Sequence, residues 1–280
     1  MDDSMNLAYV YDHTFDGFLT AVFEAYDRRE VPRVIVPEGQ LQLAFGQQTR
    51  EIETDTAKAL RVEKGMTHKL GSLFYHKVWN VFLAGDPEKD TKLYRYIRQG
   101  FAMGRRVYNA LPEDSVLAVD SLYKKVRNEA HRFNMFLRFS EMEGGVFYAK
   151  IAPQHQVLPL IMPHFADRYC VQPFIIHDET HNLAGIFDLN SWHLTETSGI
   201  TLPDPAAGEI QYRRLWKHFY DAVAIKERTN PRCRMNFMPK RFWKNLTEIN
   251  FMETPKTKAQ EAAAPPAWEV DKNLPKQLDS

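Results

Sequence analysis

Apolar residues follow two periods along this chain, and the change between them divides it. In residues 132–197 they alternate. Phe133, Met135, Leu137 and Phe139 interleave with Asn134, Phe136, Arg138 and Ser140, a period of two that predicts a strand with one apolar face. Glu143-Gly144-Gly145 supplies turn residues that tolerate positive φ, and Val146–Ala152 reads as the returning strand. Val157, Leu158, Leu160, Ile161, Phe165 and Tyr169 then recur at helical spacing, with Pro163 expected to break or kink the helix. Phe174–Asp178 and Leu183–Asp188 form a second hairpin around Thr180-His181-Asn182, and Trp192–Glu196 is a candidate further strand. The expected fold is α+β: a small antiparallel sheet, β-β-α-β-β at its core, with flanking helices.

On either side the pattern is mainly helical. Leu7–Tyr11 suits a strand, and Asp12 or Thr14 can cap a helix carrying Phe15, Phe18, Leu19, Val22, Phe23 and Tyr26. Arg33–Val36 and Thr49–Thr54 are strand-compatible. From Asp55 to His131 the chain reads as four helical pieces, broken near Gly65, at Gly85-Asp86-Pro87 and at Pro112. Ser198–Gly208 is a proline-rich connector. Glu209–Glu227 is an amphipathic helix with Tyr212, Leu215, Trp216, Phe219 and Val223 on one side, and a last helix starts near Pro239. This gives one domain over 1–250, made of a mostly helical part (1–131), a central sheet (132–197) and C-terminal helices (208–250). The Lys-, Ala-, Pro-, Gln- and Glu-rich residues 254–280 read as a disordered tail.

Charge changes this picture locally. The 280 residues carry 36 Lys+Arg and 36 Asp+Glu, which argues against a globally basic binder. Within that balance, residues 89–138 hold eleven Lys/Arg against five acids, and residues 211–245 hold ten against two. In the second segment Arg228, Arg232, Arg234, Lys240, Arg241 and Lys244 are interleaved with Phe237, Phe242 and Trp243. Cations neutralise phosphates and exposed aromatics stack on unpaired bases, so Arg228, Arg232, Arg234, Lys240, Arg241, Trp243 and Lys244 are the candidate nucleic-acid contacts. A solvated basic face over core aromatics would give the same pattern.

Candidate chemistry gathers at the ends of the central elements: Glu129, His131, Arg132, Arg138, His164, Asp167, Arg168, His177 and Asp178. Brought together, they would line a polar cleft at the sheet rim. Asp167-Arg168 also fits a helix-end ion pair, and His177-Asp178 the start of a tight turn. The string His177-Asp178-Glu179-Thr180-His181 has Asp where a zinc-protease motif needs Glu, and it sits on an expected strand and turn, so no metal is expected there. There is no phosphate-binding glycine loop and no G-x-S-x-G elbow. Cys170 and Cys233 have no metal-ligand spacing and fit a reducing, cytoplasmic setting. No apolar run approaches a membrane span, and the acidic start is not expected to be a signal peptide.

Several long motifs now bear on identity: YDHTFDGFLTAVFEAY, EAHRFNMFLRFSEMEGGVFYAKIAP, VLPLIMPHFADRY, IIHD, LWKHFYDAVAIKERTNP and FMPKRFWKNLTE. Together, over residues 8–250, they resemble a bacterial family of DNA-metabolism and DNA-repair proteins built on domain of unknown function 4130. The resemblance implies a DNA-repair context and a radical-SAM companion, with the iron–sulfur cluster and S-adenosylmethionine on that partner and no cofactor in this chain. It brings no catalytic residues, and the glycosylase activity implied by a further domain in some longer relatives is not expected of this chain. The expected function is a DNA-binding accessory protein acting with the radical-SAM partner. The alternative is an enzyme acting directly on DNA through the His/Asp/Glu/Arg cleft.

Overall fold

The computed structural model describes residues 7–40, 47–110, 112–197 and 205–249. The chain forms two compact units. The first runs to Glu129 and includes Gln154–Gln156; the second comprises Ala130–Pro153 and the residues from Val157 onward. The architecture is mixed α and β, with more helix than strand.

In the first unit β1 (Leu7–Tyr11) is the centre of a three-stranded parallel sheet, between β2 (Val34–Pro37) and β3 (Gln48–Glu51). Helix α1 (Phe15–Asp27) joins β1 to β2 in sequence. It starts where the Thr14 hydroxyl accepts the Gly17 N–H at 2.9 Å, and it buries Phe18, Leu19, Val22 and Ala25. The sequence anticipates these strands individually, but not their parallel sheet.

Helices α2 (Thr56–Leu70), α3 (Ser72–Phe82), α4 (Lys89–Met103) and α5 (Asp114–Phe136) follow, with a 3-10 turn at Gly104–Asn109. The first break falls at Gly71, not at Gly65. Gly71 has φ 99 and ψ 160, a conformation open essentially to glycine alone, whereas Gly65 lies inside α2.

The second unit differs from expectation at its start. No strand forms at Phe133; α5 continues to Phe136, and the first strand is only β4 (Ser140–Glu141). Val126, Ala130, Phe133 and Leu137 are all buried at spacings of three and four, so the helical period outcompetes the alternating one. A turn through Gly144 and Gly145, both at positive φ, leads to β5 (Phe147–Ile151).

Helix α6 (Leu158–Arg168) runs unbroken through Pro163, because Leu158, Ile161, Met162 and Phe165 are all buried and hold it in place. Then come β6 (Phe174–Asp178), β7 (Leu183–Phe187) and β8 (Trp192–Glu196). Their order is β4-β5-β6-β7-β8. The sheet is mixed rather than antiparallel, because β5 and β6 pair in parallel across the α6 crossover.

Helix α7 (Glu209–Val223), a 3-10 turn (Lys226–Arg228), α8 (Pro231–Phe237) and a second 3-10 turn (Lys240–Asn245) complete the described chain. The expected tail lies outside the described residues, as does most of the proline-rich connector.

Candidate functional site

Strand alternation assigns the two faces of the five-stranded sheet. Gly185 sits opposite Ile176, and a Cβ on it would come within 2.3 Å of Met162 Sδ, so α6 packs directly on that face. Ala149, Ile151, Phe174, Ile176 and Asp178 share the α6 face, and all five are buried. Tyr148 and Lys150 on β5, Ile175 and His177 on β6, and Ala184 on β7 point to the other side.

There a cavity of about 270 Å3 is lined by Tyr148, Ile175, His177, Glu179, Asn182, Ala184 and Thr197. Ile175 and Ala184 supply apolar surface, and Asn182 adds an amide from the β6–β7 turn. That turn holds Asn182 at φ 54, a conformation asparagine tolerates better than most residues. The volume is just below the usual range for small-molecule sites, about 300–1,000 Å3.

Two polar groups organise the cavity. Tyr148 Oη and His177 Nδ1 are hydrogen-bonded at 2.8 Å. Burial pushes the His177 pKa below its ordinary value, and the Lys150 charge adds to the shift against opposition from Glu179 and Asp178. Burial therefore favours the neutral form of the imidazole.

Glu179 bridges two ammonium groups, Lys150 Nζ at 3.3 Å and Lys244 Nζ at 3.4 Å. Lys244 belongs to the last 3-10 turn, which is anchored on β5 by Asn245 Nδ2 donating to the Lys150 carbonyl at 2.8 Å. The basic C-terminal segment thus reaches the rim of the His177 cavity.

The nine residues expected to form a cleft do not converge. Among them only His177 lines the cavity. Asp178, one position on, faces the opposite side and is fully buried; it accepts the backbone N–H groups of Thr180 and His181 and pairs with the His181 ring at 2.7 Å. It organises the turn. His164, Asp167 and Arg168 are exposed on α6, beyond the sheet from His177.

Arg138 donates to the Met135 and Leu137 carbonyls and to Glu248 at 2.9 Å, lies 5.6 Å from the Trp216 ring centre, and so clamps the fold. His131 is exposed and Arg132 half-buried in the last turns of α5. Glu129 belongs to the first unit, where its buried carboxylate accepts the Gln154 and His155 N–H groups at 3.1 and 2.8 Å.

In the basic segment, Phe242 and Trp243 are core residues. Trp243 is 2% exposed and donates its indole N–H to the Met238 carbonyl, so its ring is closed to a base. Arg234 and Lys240 lie over the Trp243 ring, at 4.9 and 5.6 Å, and Arg241 over Phe242 at 5.0 Å. Arg228, Arg232, Lys240, Arg241 and Lys244 are exposed. Phe237, 74% exposed, is the aromatic of the three that remains on the surface.

Sequence reasoning missed Tyr148, Lys150, Glu179, Asn182 and Thr197. The signal available was Lys150 interrupting an apolar strand in step with Tyr148; what it lacked was the register that sets Lys150 opposite His177. Among the described residues no three His, Cys, Asp or Glu side chains are grouped to hold a metal ion, and no helix is long and apolar enough to cross a membrane.

The model of a domain of unknown function, DUF4130, matches residues 87–248, more than half of the chain, and the chain belongs to that family. No curated protein matches the sequence.

Proposed function

Taking membership of the DUF4130 family as the premise, we propose that the second unit binds unpaired DNA, with a base in the His177–Tyr148 cavity and the backbone along the basic C-terminal segment. The observation that carries this reading is the Lys150–Glu179–Lys244 bridge at the cavity rim, because it joins a base-sized recess to exposed cations. Sheet faces that offer ring side chains beside positive charge are a recurrent platform for single strands. The His177 and Tyr148 rings give lateral surface, Ile175 and Ala184 an apolar floor, and Asn182 both a donor and an acceptor for a base edge.

The protein then acts as an accessory in DNA repair or modification. The family resemblance suggests a radical-SAM partner for the reaction on DNA; in this chain Cys170 and Cys233 stand 63 positions apart and supply no cluster-ligating triplet. Anaerobic co-expression should recover the two proteins together, with iron on the partner; stoichiometric iron in the isolated chain contradicts this assignment.

The test of binding is fluorescence anisotropy with a single-stranded oligonucleotide over a salt series. Wild type should bind it in preference to duplex, with affinity falling as salt rises. Combining Arg228→Ala, Arg232→Ala and Lys240→Ala should reduce the slope of log affinity against log salt by about 2, at about 0.7 per lost phosphate contact. His177→Ala should remove the preference for unpaired DNA while leaving that slope in place. An unchanged slope in the triple variant sinks the reading.

A second reading rests on the Tyr148–His177 hydrogen bond itself. In the tautomer whose Nδ1–H donates to the phenol oxygen, a neutral imidazole presents Nε2 as a proton acceptor, the condition for a general base; in the other, the phenol donates to Nδ1. Under that reading the protein alone turns over DNA. The rate should rise with pH through a midpoint below the ordinary histidine value and vanish in a His177→Ala variant of unchanged melting temperature.

A further inference from the structure

We propose that the His177 cavity selects guanine, and that Glu179 with Lys150 reads the Watson–Crick edge of that base. The inference rests on the DNA-binding reading above and adds to it the identity of the base. Size does not make the choice, since a cavity of about 270 Å3 admits one-ring and two-ring bases alike. The choice falls to the polar groups of the lining.

Most of those groups have no fixed polarity. The Asn182 amide offers a donor on one atom and an acceptor on the other, and the Thr197 hydroxyl turns to give either. Tyr148 Oη and His177 Nδ1 are engaged with each other at 2.8 Å. Glu179 is different, because an ionised carboxylate only accepts.

Glu179 is also held in place. Its backbone N–H donates to the Ile151 carbonyl at 3.0 Å, and its two oxygens lie 3.3 Å from Lys150 Nζ and 3.4 Å from Lys244 Nζ. A carboxylate has about four lone-pair positions, so about two stay open once both ammonium groups are counted. The parallel register pairs Lys150 with His177, which puts its side chain on the cavity face of the sheet. The three charged side chains are between 36 and 47% exposed, so a ligand can reach them and the pairs themselves stabilise little.

An ammonium group beside a carboxylate presents, in order, one donor and two acceptors. The Watson–Crick edge of guanine is the complement: the O6 acceptor, then the N1–H and N2–H donors. Adenine, cytosine and thymine each present one donor group on that edge. Adenine and cytosine turn a ring-nitrogen lone pair toward the carboxylate, and thymine flanks its single N–H with two carbonyl oxygens. Each therefore sets an acceptor against Glu179, and an unpaired acceptor rejects the wrong base more strongly than a missing contact does.

The test is anisotropy of the full-length protein with all-thymine single strands of about 15 nucleotides, roughly one binding site. The central base is varied through guanine, hypoxanthine, adenine, cytosine and thymine. The guanine strand should bind about tenfold or more tightly than the adenine, cytosine and thymine strands. Hypoxanthine keeps O6 and N1–H but lacks the N2 amino group, so its strand should fall between. Glu179→Gln turns one acceptor into a donor and should bring the guanine strand to within about twofold of the thymine strand. The wild-type series decides by itself, so the proposal does not depend on the stability of that variant.

Equal binding of all five strands, or a preference for another base, overturns the selection of guanine. The DNA-binding reading survives that result provided affinity still falls with salt. A guanine preference that persists in a folded Glu179→Gln variant overturns the assignment to Glu179. Failure of every strand to bind overturns both readings together.

Discussion

Asp90 and His177 are the two side chains whose ionisation burial alters most usefully, one in each unit. Asp90, in the first turn of α4, is fully buried, with Tyr11, Lys89 and His13 as polar neighbours. Desolvation outweighs the opposing Lys89 charge, and with neither carboxylate oxygen hydrogen-bonded the pKa is pushed up to about 6. In the unfolded chain it titrates near the ordinary aspartate value. Stability is therefore lost as pH rises through the window between those two values, because the unfolded state ionises first. At about 1.4 kcal/mol per unit the loss is about 3 kcal/mol. Asp90→Asn should match wild type below pH 4 and exceed it by about that amount at pH 7.5, measured by urea melts; a difference independent of pH refutes this account. The sequence marks Asp90 only as one acid in a charged helix, since burial is a tertiary property. His177 was legible as a candidate because a histidine at a strand end is chemically conspicuous. Its neighbour Asp178 was equally conspicuous, and alternation sends it to the other face of the sheet.

Elements were legible wherever one period dominated. The hairpin turns at Gly144-Gly145 and Thr180-His181-Asn182, the strands β6 to β8 and the capped start of α1 follow from local patterns that nothing later overrides. The continuation of α5 was not legible, because Phe133, Met135, Leu137 and Phe139 satisfy an alternating template while Val126, Ala130, Phe133 and Leu137 satisfy a helical one. Only burial decides between them. Parallel pairing of β1 with β2 and β3, and of β5 with β6, joins strands far apart in sequence and leaves no local mark. The two glycines that competed for the break after α2 make opposite predictions. Gly71→Ala forces a side chain into φ 99 and should cost about 1–3 kcal/mol. Gly65→Ala lies within the helix, where the new Cβ meets the Phe101 ring at 3.6 Å, an ordinary contact, and should stabilise by up to about 1 kcal/mol. Equilibrium urea unfolding of the pair checks both signs, and equal effects would mean the break is placed by something other than Gly71.

At the scale of the whole molecule, a chain with 36 positive and 36 negative side chains gains nothing from net charge in attracting DNA. Any affinity must come from where the charges are. Family membership covers residues 87–248 and so includes both basic segments, which leaves the choice between them to structure. In the first unit Arg95, Lys124 and Arg127 are exposed on α4 and α5. In the second, Arg228, Arg232 and Lys240 are exposed on the segment whose Lys244 reaches the His177 cavity through Glu179. Replacing either trio by Ala changes the net charge of the protein by the same amount. If long-range attraction governed binding, the two triple variants would weaken it equally. If local phosphate contacts govern it, the trio of the second unit should cost about 1 kcal/mol or more per lost contact at low salt and flatten the salt dependence, while the first trio leaves both nearly unchanged. Anisotropy titrations of both variants at two salt concentrations separate the cases. Equal losses would remove the second unit from its assigned place as the DNA-binding surface.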